Sequence, residues 1–191
     1  MNGSDRGVRV LHVDDELGFA EMAATFLERE SDRIDVRTVT DPNDGLELIA
    51  ERDIDCVVSD YDMPERNGIE FLEAVREQYP ELPFILYTGK GSEEIASEAI
   101  STGVTDYLQK GSGTSQYTVL ANRISNAVEQ YRSRQAVQET EQKLSELAGR
   151  TDDILFMFDS DWSELLCINS AYEAIWDGSI EELKQDPESF L

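Results

Sequence analysis

The stretch Val57-Val58-Ser59-Asp60-Tyr61-Asp62-Met63-Pro64, followed closely by Asn67-Gly68, decides how this chain is read. It opens on an apolar, β-branched run from Cys56 to Val58 and stops abruptly on an aspartate. A second acid, a proline and a glycine then turn the backbone ahead of a helix. A short apolar run bounded by turn signals is the pattern of a buried strand. Asp60 then stands at the carboxyl end of a strand, where open α/β sheets carry their chemistry. Taken alone, these residues equally fit a strand-ending aspartate that merely caps a loop. The flanking chain separates the two readings.

Upstream, Val8 to Val13 reads as a strand ending on Asp14-Asp15-Glu16. Leu17, Ala20, Ala24 and Leu27 then recur at helical spacing, with Phe19, Met22 and Phe26 beside them. Ile34 to Val39 alternates as a second strand, and Asp41-Pro42 supplies an N-cap and a first-turn proline for a helix through Leu46 and Ile49. Downstream of Gly68, Phe71, Leu72 and Val75 share one helical face. Pro83 to Gly89 is a fourth strand with Thr88 at its end, and Ser92 with Glu93 and Glu94 caps a fourth helix that stops at Gly103. Val104 to Lys110 is the fifth strand. Strands alternating with helices predict a parallel α/β sheet. Asp14, Asp15, Asp60, Thr88 and Lys110 all fall at carboxyl ends of those strands, on one edge of one sheet.

Three carboxylates converging there repel one another unless a cation intervenes. A hard divalent ion with oxygen ligands and several waters, Mg²⁺, suits such an incomplete cage. Lys110 adds a mobile point cation and Thr88 a hydroxyl, both suited to holding a phosphoryl oxygen. A carboxylate within the ring can itself be the nucleophile and form an aspartyl-phosphate. The competing reading, in which Lys110 only neutralises buried acids, asks for many buried charges with little stability in return.

Between Val8 and Ala127 the chain resembles the receiver domains of two-component response regulators. The resemblance rests on Asp14-Asp15, on Asp60 within Asp-Tyr-Asp-Met-Pro, and on Asn67-Gly68, Thr88-Gly89, Tyr107 and Lys110. It implies a flavodoxin-like doubly wound five-stranded sheet of order 2-1-3-4-5, with its switch point between the first and third strands. It further implies Asp60 as phosphoacceptor, with Asp15, Asp60 and the Asp62 main-chain carbonyl as Mg²⁺ ligands and Asp14 acting through water. Thr88 and Tyr107 resemble the family's switch pair. A sensor histidine kinase or phosphotransfer protein is then the phosphodonor, and the domain is no turnover enzyme beyond self-phosphorylation and slow autodephosphorylation. The family usually has a proline after the lysine; Gly111 stands here, which predicts a looser loop. His12, the single histidine, lies in the first strand and reads as a core or near-site side chain, not as a kinase phosphodonor.

From Thr114 to Ala148 there is no proline or glycine, and the stretch reads as one long helix. Tyr117, Leu120, Ile124, Ala127 and Tyr131 follow a heptad seam, part of which must pack on the sheet; the pattern weakens over Arg132 to Lys143 and resumes at Leu144 and Leu147. A coiled-coil signalling helix and a monomeric linker both fit. Gly149 ends it. Ile154 to Asp159, a turn at Asp161-Trp162, Leu165 to Ile168, and then Asn169 with Ala171, Tyr172, Ile175 and Trp176 resemble the opening of a PAS sensor domain, an incomplete α+β segment; a β-hairpin cap on the helix is the alternative. Within it Phe156, Phe158, Leu166 and Trp176 lack a covering sheet. The expected divisions are 1–127 receiver, 128–150 linker helix and 151–191 truncated PAS-like segment.

Composition narrows the setting. Lys plus Arg total 16 against 41 for Asp plus Glu, a formal net charge of −25, while hydrophobic residues make up 40%. Such a chain folds, yet its carboxylates repel unless salt screens them, so a halophilic, archaeal type of protein is expected over a merely acidic mesophilic one. No basic patch invites nucleic acid. Cys56 and Cys167 lie apart in apolar runs and suit reduced, buried thiols better than a disulfide framework. With no membrane-length apolar run and no signal-peptide pattern, a cytoplasmic setting is expected. The reading is a response regulator in phosphorelay signalling that switches its linker helix, with a possible homodimer through the fourth helix, fifth strand and fifth helix together with the linker. One alternative is the leading part of a hybrid sensor histidine kinase. The other is a hydrolase working through an aspartyl-phosphate, disfavoured because haloacid-dehalogenase-like enzymes carry Asp-x-Asp where this chain has Asp14-Asp15-Glu16.

Overall fold

The computed structural model describes residues 7–89, 91–148, 154–159, 165–169, 171–176, 179–180 and 183. The chain divides into two compact units, residues 1–133 and 134–191.

In the first unit, β1 (Val8–Val13), β2 (Ile34–Val39), β3 (Cys56–Ser59), β4 (Phe84–Thr88) and β5 (Asp106–Gln109) alternate with α1 (Leu17–Glu30), α2 (Pro42–Glu51), α3 (Gly68–Gln78) and α4 (Glu93–Thr102). α5 (Ser115–Ala148) follows. All neighbouring strands are parallel, in the order β2-β1-β3-β4-β5. The flavodoxin-like order expected from the resemblance is therefore the one observed. The chain steps from β1 outward to β2 and then back across to β3, so the crevice between β1 and β3 opens at the carboxyl edge.

The helix starts are set locally. The Asp41 carboxylate accepts from Asn43 N at 2.7 Å with Pro42 leading α2. Asn67 and Glu70 form a reciprocal capping box on α3. Ser92 accepts from Ile95 N on α4, and Gly103 closes that helix at φ 89°, a left-handed conformation that favours glycine.

Alternate strand residues sort to opposite faces. Leu11, Val13, Phe84 and Leu86 pack with Phe71, Leu72 and Ala99 on one face. Val10, Val58, Ile85 and Tyr87 pack with Leu27, Leu120 and Ile124 on the other. Full burial of each such side chain is worth roughly 1.5–3 kcal/mol. Phe26 of α1 stacks on Tyr117 of α5, with centroids 4.8 Å apart.

The heptad seam of α5 is consumed by this packing. Tyr117, Leu120, Ile124 and Ala127 are buried together with Val128, and Tyr131 is half-buried. Burial thus runs past residue 127, and Arg132 still ion-pairs with Asp55 at 2.9 Å. From Ser133 to Lys143 every side chain is exposed; those of Leu144 and Leu147 lie outside the described residues.

In the second unit, β6 (Phe156–Phe158) and β7 (Leu165–Ile168) pair antiparallel, followed by α6 (Ala171–Trp176). Asn169 closes the pair: its Oδ1 accepts from Leu155 N at 2.9 Å and its N–H donates to Leu155 O at 3.0 Å. Leu165 and Ala171 are buried, whereas Phe156, Met157, Ile175 and Trp176 are exposed. Cys56 is buried as expected, but Cys167 is exposed, because it stands opposite exposed Met157 in the strand pairing. Gly149, the Asp161-Trp162 turn and the burial of Phe158 and Leu166 lie outside the described residues. Among the described residues, no helix is long and apolar enough to cross a membrane.

Candidate functional site

Backbone bonds level the polar residues at the sheet's carboxyl edge. Asp60 N donates to Val13 O at 2.8 Å, Asp14 N to Val39 O at 3.2 Å, and Lys110 N to Thr88 O at 2.8 Å. Each polar residue therefore sits at the step just past its strand, or at its last residue for Thr88. Gly68 lets α3 close on this edge. A Cβ there would lie 2.2 Å from the Asp60 carbonyl oxygen and 2.7 Å from Leu86 Cδ1. Its φ is not in the left-handed region, so space and not turn conformation demands the glycine. The positive φ of this loop, 67°, falls on Glu65.

Asp14, Asp15, Asp60, Asp62, Thr88 and Lys110 line one open cleft of about 390 Å³, joined by Phe19. Lys110 Nζ donates to Asp14 Oδ2 at 2.7 Å and lies 2.9 Å from Asp60 Oδ1. The second contact is an ion pair outside hydrogen-bond geometry, so the buried Asp60 Oδ1 keeps no hydrogen-bond partner. The other oxygens are held by the backbone: Asp60 Oδ2 accepts from Asp62 N at 2.9 Å, and Asp14 Oδ1 from Glu16 N at 3.0 Å. Asp14 and Thr88 are buried, while Asp15 and Asp62 are exposed at the rim. Burial alone would push the Lys110 ammonium down, but Asp14 and Asp60 more than offset it and its pKa is raised. The ammonium also rests 4.2 Å from the Phe19 ring centroid.

His12 is fully buried beneath the cleft, with its Nε2 3.9 Å from Asp14 Oδ2. Burial, reinforced by Lys110, lowers its pKa to about 4, so it is neutral near pH 7. That is the core or near-site role read from its position. The Tyr107 ring is half-buried, and its hydroxyl is enclosed near Gly91 with no hydrogen-bond partner among the described residues.

Where a looser loop is expected after Lys110, two hydrogen bonds brace the chain. The Gly111 N–H, which a proline would lack, donates to Gln116 Oε1 at 3.0 Å, and Gln116 Nε2 donates to Gly113 O at 2.8 Å. Gln116 and Phe19 carried no site signal in the sequence. A polar residue opening a helix and an aromatic one turn into another are unremarkable until the fold brings them to Lys110.

Among the described residues, no three His, Cys, Asp or Glu side chains gather into a metal-holding group. The oxygen donors nonetheless fit Mg²⁺ bound by two carboxylates, a main-chain carbonyl and water. Asp60 Oδ1 is a buried carboxylate oxygen that accepts no hydrogen bond and faces only the Lys110 ammonium, and exposed Asp15 and Asp62 line the same cleft.

Fold and site together define a doubly wound α/β domain whose switch point carries an acidic cluster and a lysine. Residues 10–122 match the family model of the response regulator receiver domain, and the chain belongs to that family. It is 30% identical over 122 residues to the response regulator SaeR of Staphylococcus aureus, a match covering 64% of this chain and 52% of that protein. The chain thus spans about half the length of the curated relatives it matches. A receiver domain protein from Clostridium thermocellum superposes with a TM-score of 0.59 at 27% identity, covering 65% of this chain and 97% of that one. The chemotaxis protein CheY4 of Vibrio cholerae gives 0.57 at 28%, covering 62% and 98%. Receiver domains of this kind are regulatory phosphoacceptors phosphorylated by histidine kinases, and they bind Mg²⁺ through acidic residues.

Proposed function

We propose that this chain is a response regulator whose Asp60 accepts a phosphoryl group from a sensor histidine kinase or phosphotransfer protein in a Mg²⁺-dependent reaction. The observation that carries the reading is Asp60 itself: a buried carboxylate whose Oδ2 is fixed by Asp62 N while Oδ1 faces Lys110 at 2.9 Å. An oxygen so aimed is placed to attack phosphorus once Lys110 gives up its ion pair with it. Asp15, Asp60 and the Asp62 carbonyl would hold Mg²⁺, with Asp14 acting through water. The bound ion supplies charge neutralisation for the transferring group. Lys110 exchanges its contact with Asp60 for a phosphoryl oxygen, while its bond to Asp14 keeps the ammonium in place. The Thr88 hydroxyl closes on the same group, and Tyr107 follows as its switch partner. Asp60→Asn abolishes the single added phosphoryl that intact-protein mass spectrometry detects after acetyl phosphate and Mg²⁺. Unchanged labelling in that variant sinks the assignment.

Three wider readings accompany it. α5 carries the signal outward along the linker, residues 128–150. The hairpin, Asn169 and α6 are the opening part of a PAS-like sensor domain within 151–191; protection of β6 and β7 amides equal to that of β1 and β3, independent of concentration, refutes this. The 41 acidic residues against 16 basic ones support life in a salt-rich cytoplasm of the halophilic type. The melting temperature then rises steeply toward molar KCl, and a flat response contradicts it.

A further inference from the structure

Gln116, in the first turn of α5, joins three segments. Its Oε1 accepts from Gly111 N at 3.0 Å and from the Tyr87 hydroxyl, and its Nε2 donates to Gly113 O at 2.8 Å. The value of these partners lies in their neighbours. Gly111 directly follows Lys110, and Tyr87 directly precedes Thr88. Tyr87 is almost wholly buried, with its ring 6.1 Å from that of Phe19. A phenol at such depth needs a partner for its hydroxyl, and Gln116 is that partner. Gly111 has no side chain to pack, so its amide bond to Gln116 is the restraint that follows the Lys110 N–Thr88 O bond along the main chain.

We propose that Gln116 is a positioning residue, which holds Lys110 at the carboxylates and ties the phosphoryl-accepting edge to the start of α5. The proposal deepens the function proposed above and rests on it. Gln116 does not touch Asp60; it acts through Gly111 and Tyr87. A shift of Lys110 toward a new anion pulls on Gly111 and hence on the amide of Gln116. A shift of β4 at Thr88 reaches the same amide through Tyr87. From Tyr117 to Val128, α5 is locked into the core by the Phe26 stack and by Leu120 and Ile124, so its first turn transmits displacement instead of absorbing it.

The test uses the full chain and three substitutions. Gln116→Leu removes every bond at similar volume, and Gln116→Glu keeps the acceptor oxygens. Gly111→Pro removes the N–H donor and leaves the Tyr87 bond to Gln116, although it also fixes φ beside Lys110, and it tests the same link where Gln116→Leu folds poorly. In the resting protein, Gly111 N–H exchange should be protected in the wild type and in Gln116→Glu but fast in Gln116→Leu, where the Lys110 side-chain ammonium resonance also moves. With acetyl phosphate and saturating Mg²⁺, Gln116→Leu and Gly111→Pro should label on the order of ten- to a hundredfold more slowly, with Gln116→Glu near wild type. Beryllofluoride should change amide exchange over Tyr117 to Ala121 in the wild type and leave it unchanged in Gln116→Leu. Wild-type exchange, labelling and α5 response in Gln116→Leu overturn the proposal. An unlabelled wild type that keeps the predicted Gly111 and Lys110 pattern overturns the phosphoacceptor function while supporting the positioning role.

Discussion

Lys110 Nζ stands 2.7 Å from Asp14 Oδ2, a bond joining residues 96 positions apart in sequence. The same ammonium faces Asp60, so one cation holds two buried carboxylates that would otherwise repel.

Lys110→Met should therefore destabilise the metal-free protein by about 1–3 kcal/mol, the cost of leaving buried charges uncompensated. Mg²⁺ should raise the melting temperature of this variant more than that of the wild type, because the ion replaces the lost charge. The pH sign follows from the raised lysine pKa. Its contribution is fully present below the unfolded value of about 10.4 and is lost as pH rises through the still higher folded value. A Lys110→Met variant equal to wild type in denaturant titrations at pH 7 contradicts the bridge.

Gly68→Ala should cost about 3 kcal/mol or more, since the obstructing atoms include the Asp60 carbonyl oxygen and Tyr61 Cα, backbone that cannot give way. Gly18 is the control. Nothing lies within 4 Å of a Cβ added there, so Gly18→Ala should stabilise α1 by up to about 1 kcal/mol. Two equal melting shifts would show that helix propensity and not contact governs both sites.

Asp55 binds Arg9 through Nε at 2.9 Å and Arg132 at 2.9 Å, and Arg132 also donates to Gly7 O at 2.7 Å. Burial pushes the Asp55 pKa up, but the arginines outweigh it and the net direction is down. Its stabilisation is present above the unfolded value of about 3.9 and is lost as pH falls through the lower folded one. Asp55→Ala should cost about 3 kcal/mol and speed amide exchange from Val128 to Ser133. Unaltered exchange there would mean that apolar packing alone holds this part of α5.

Ile100 on α4 and Val119 on α5 are exposed, and Arg123 bridges α5 to Asp106 of β5 at 3.2 Å. This is the face proposed for a homodimer. Beryllofluoride with Mg²⁺ should shift sedimentation toward a dimer, and Arg123→Glu should weaken that shift. An unchanged monomer at tens of micromolar, a rough working range, removes support for the dimer.

The strands, their parallel arrangement and the polar edge were legible in the sequence, because each depends on local pattern, while the strand order was implied only by the family resemblance. Apolar runs such as Val57-Val58 end on a polar residue, and Asp41 and Ser92 announce helices by their own hydrogen-bonding chemistry. Asp14, Asp60, Thr88 and Lys110 could be named from such endings alone. Tertiary structure decided which atoms meet. It set Lys110 between Asp14 and Asp60, and placed Phe19 against that ammonium. It gave the Gly111 N–H an acceptor in Gln116. It made Gly68 a matter of space beside the Asp60 carbonyl and spent the α5 seam on the sheet. Periodicity records which face of an element is apolar; it carries no record of a contact formed at about 3 Å between segments far apart in the chain, and only packing supplies that.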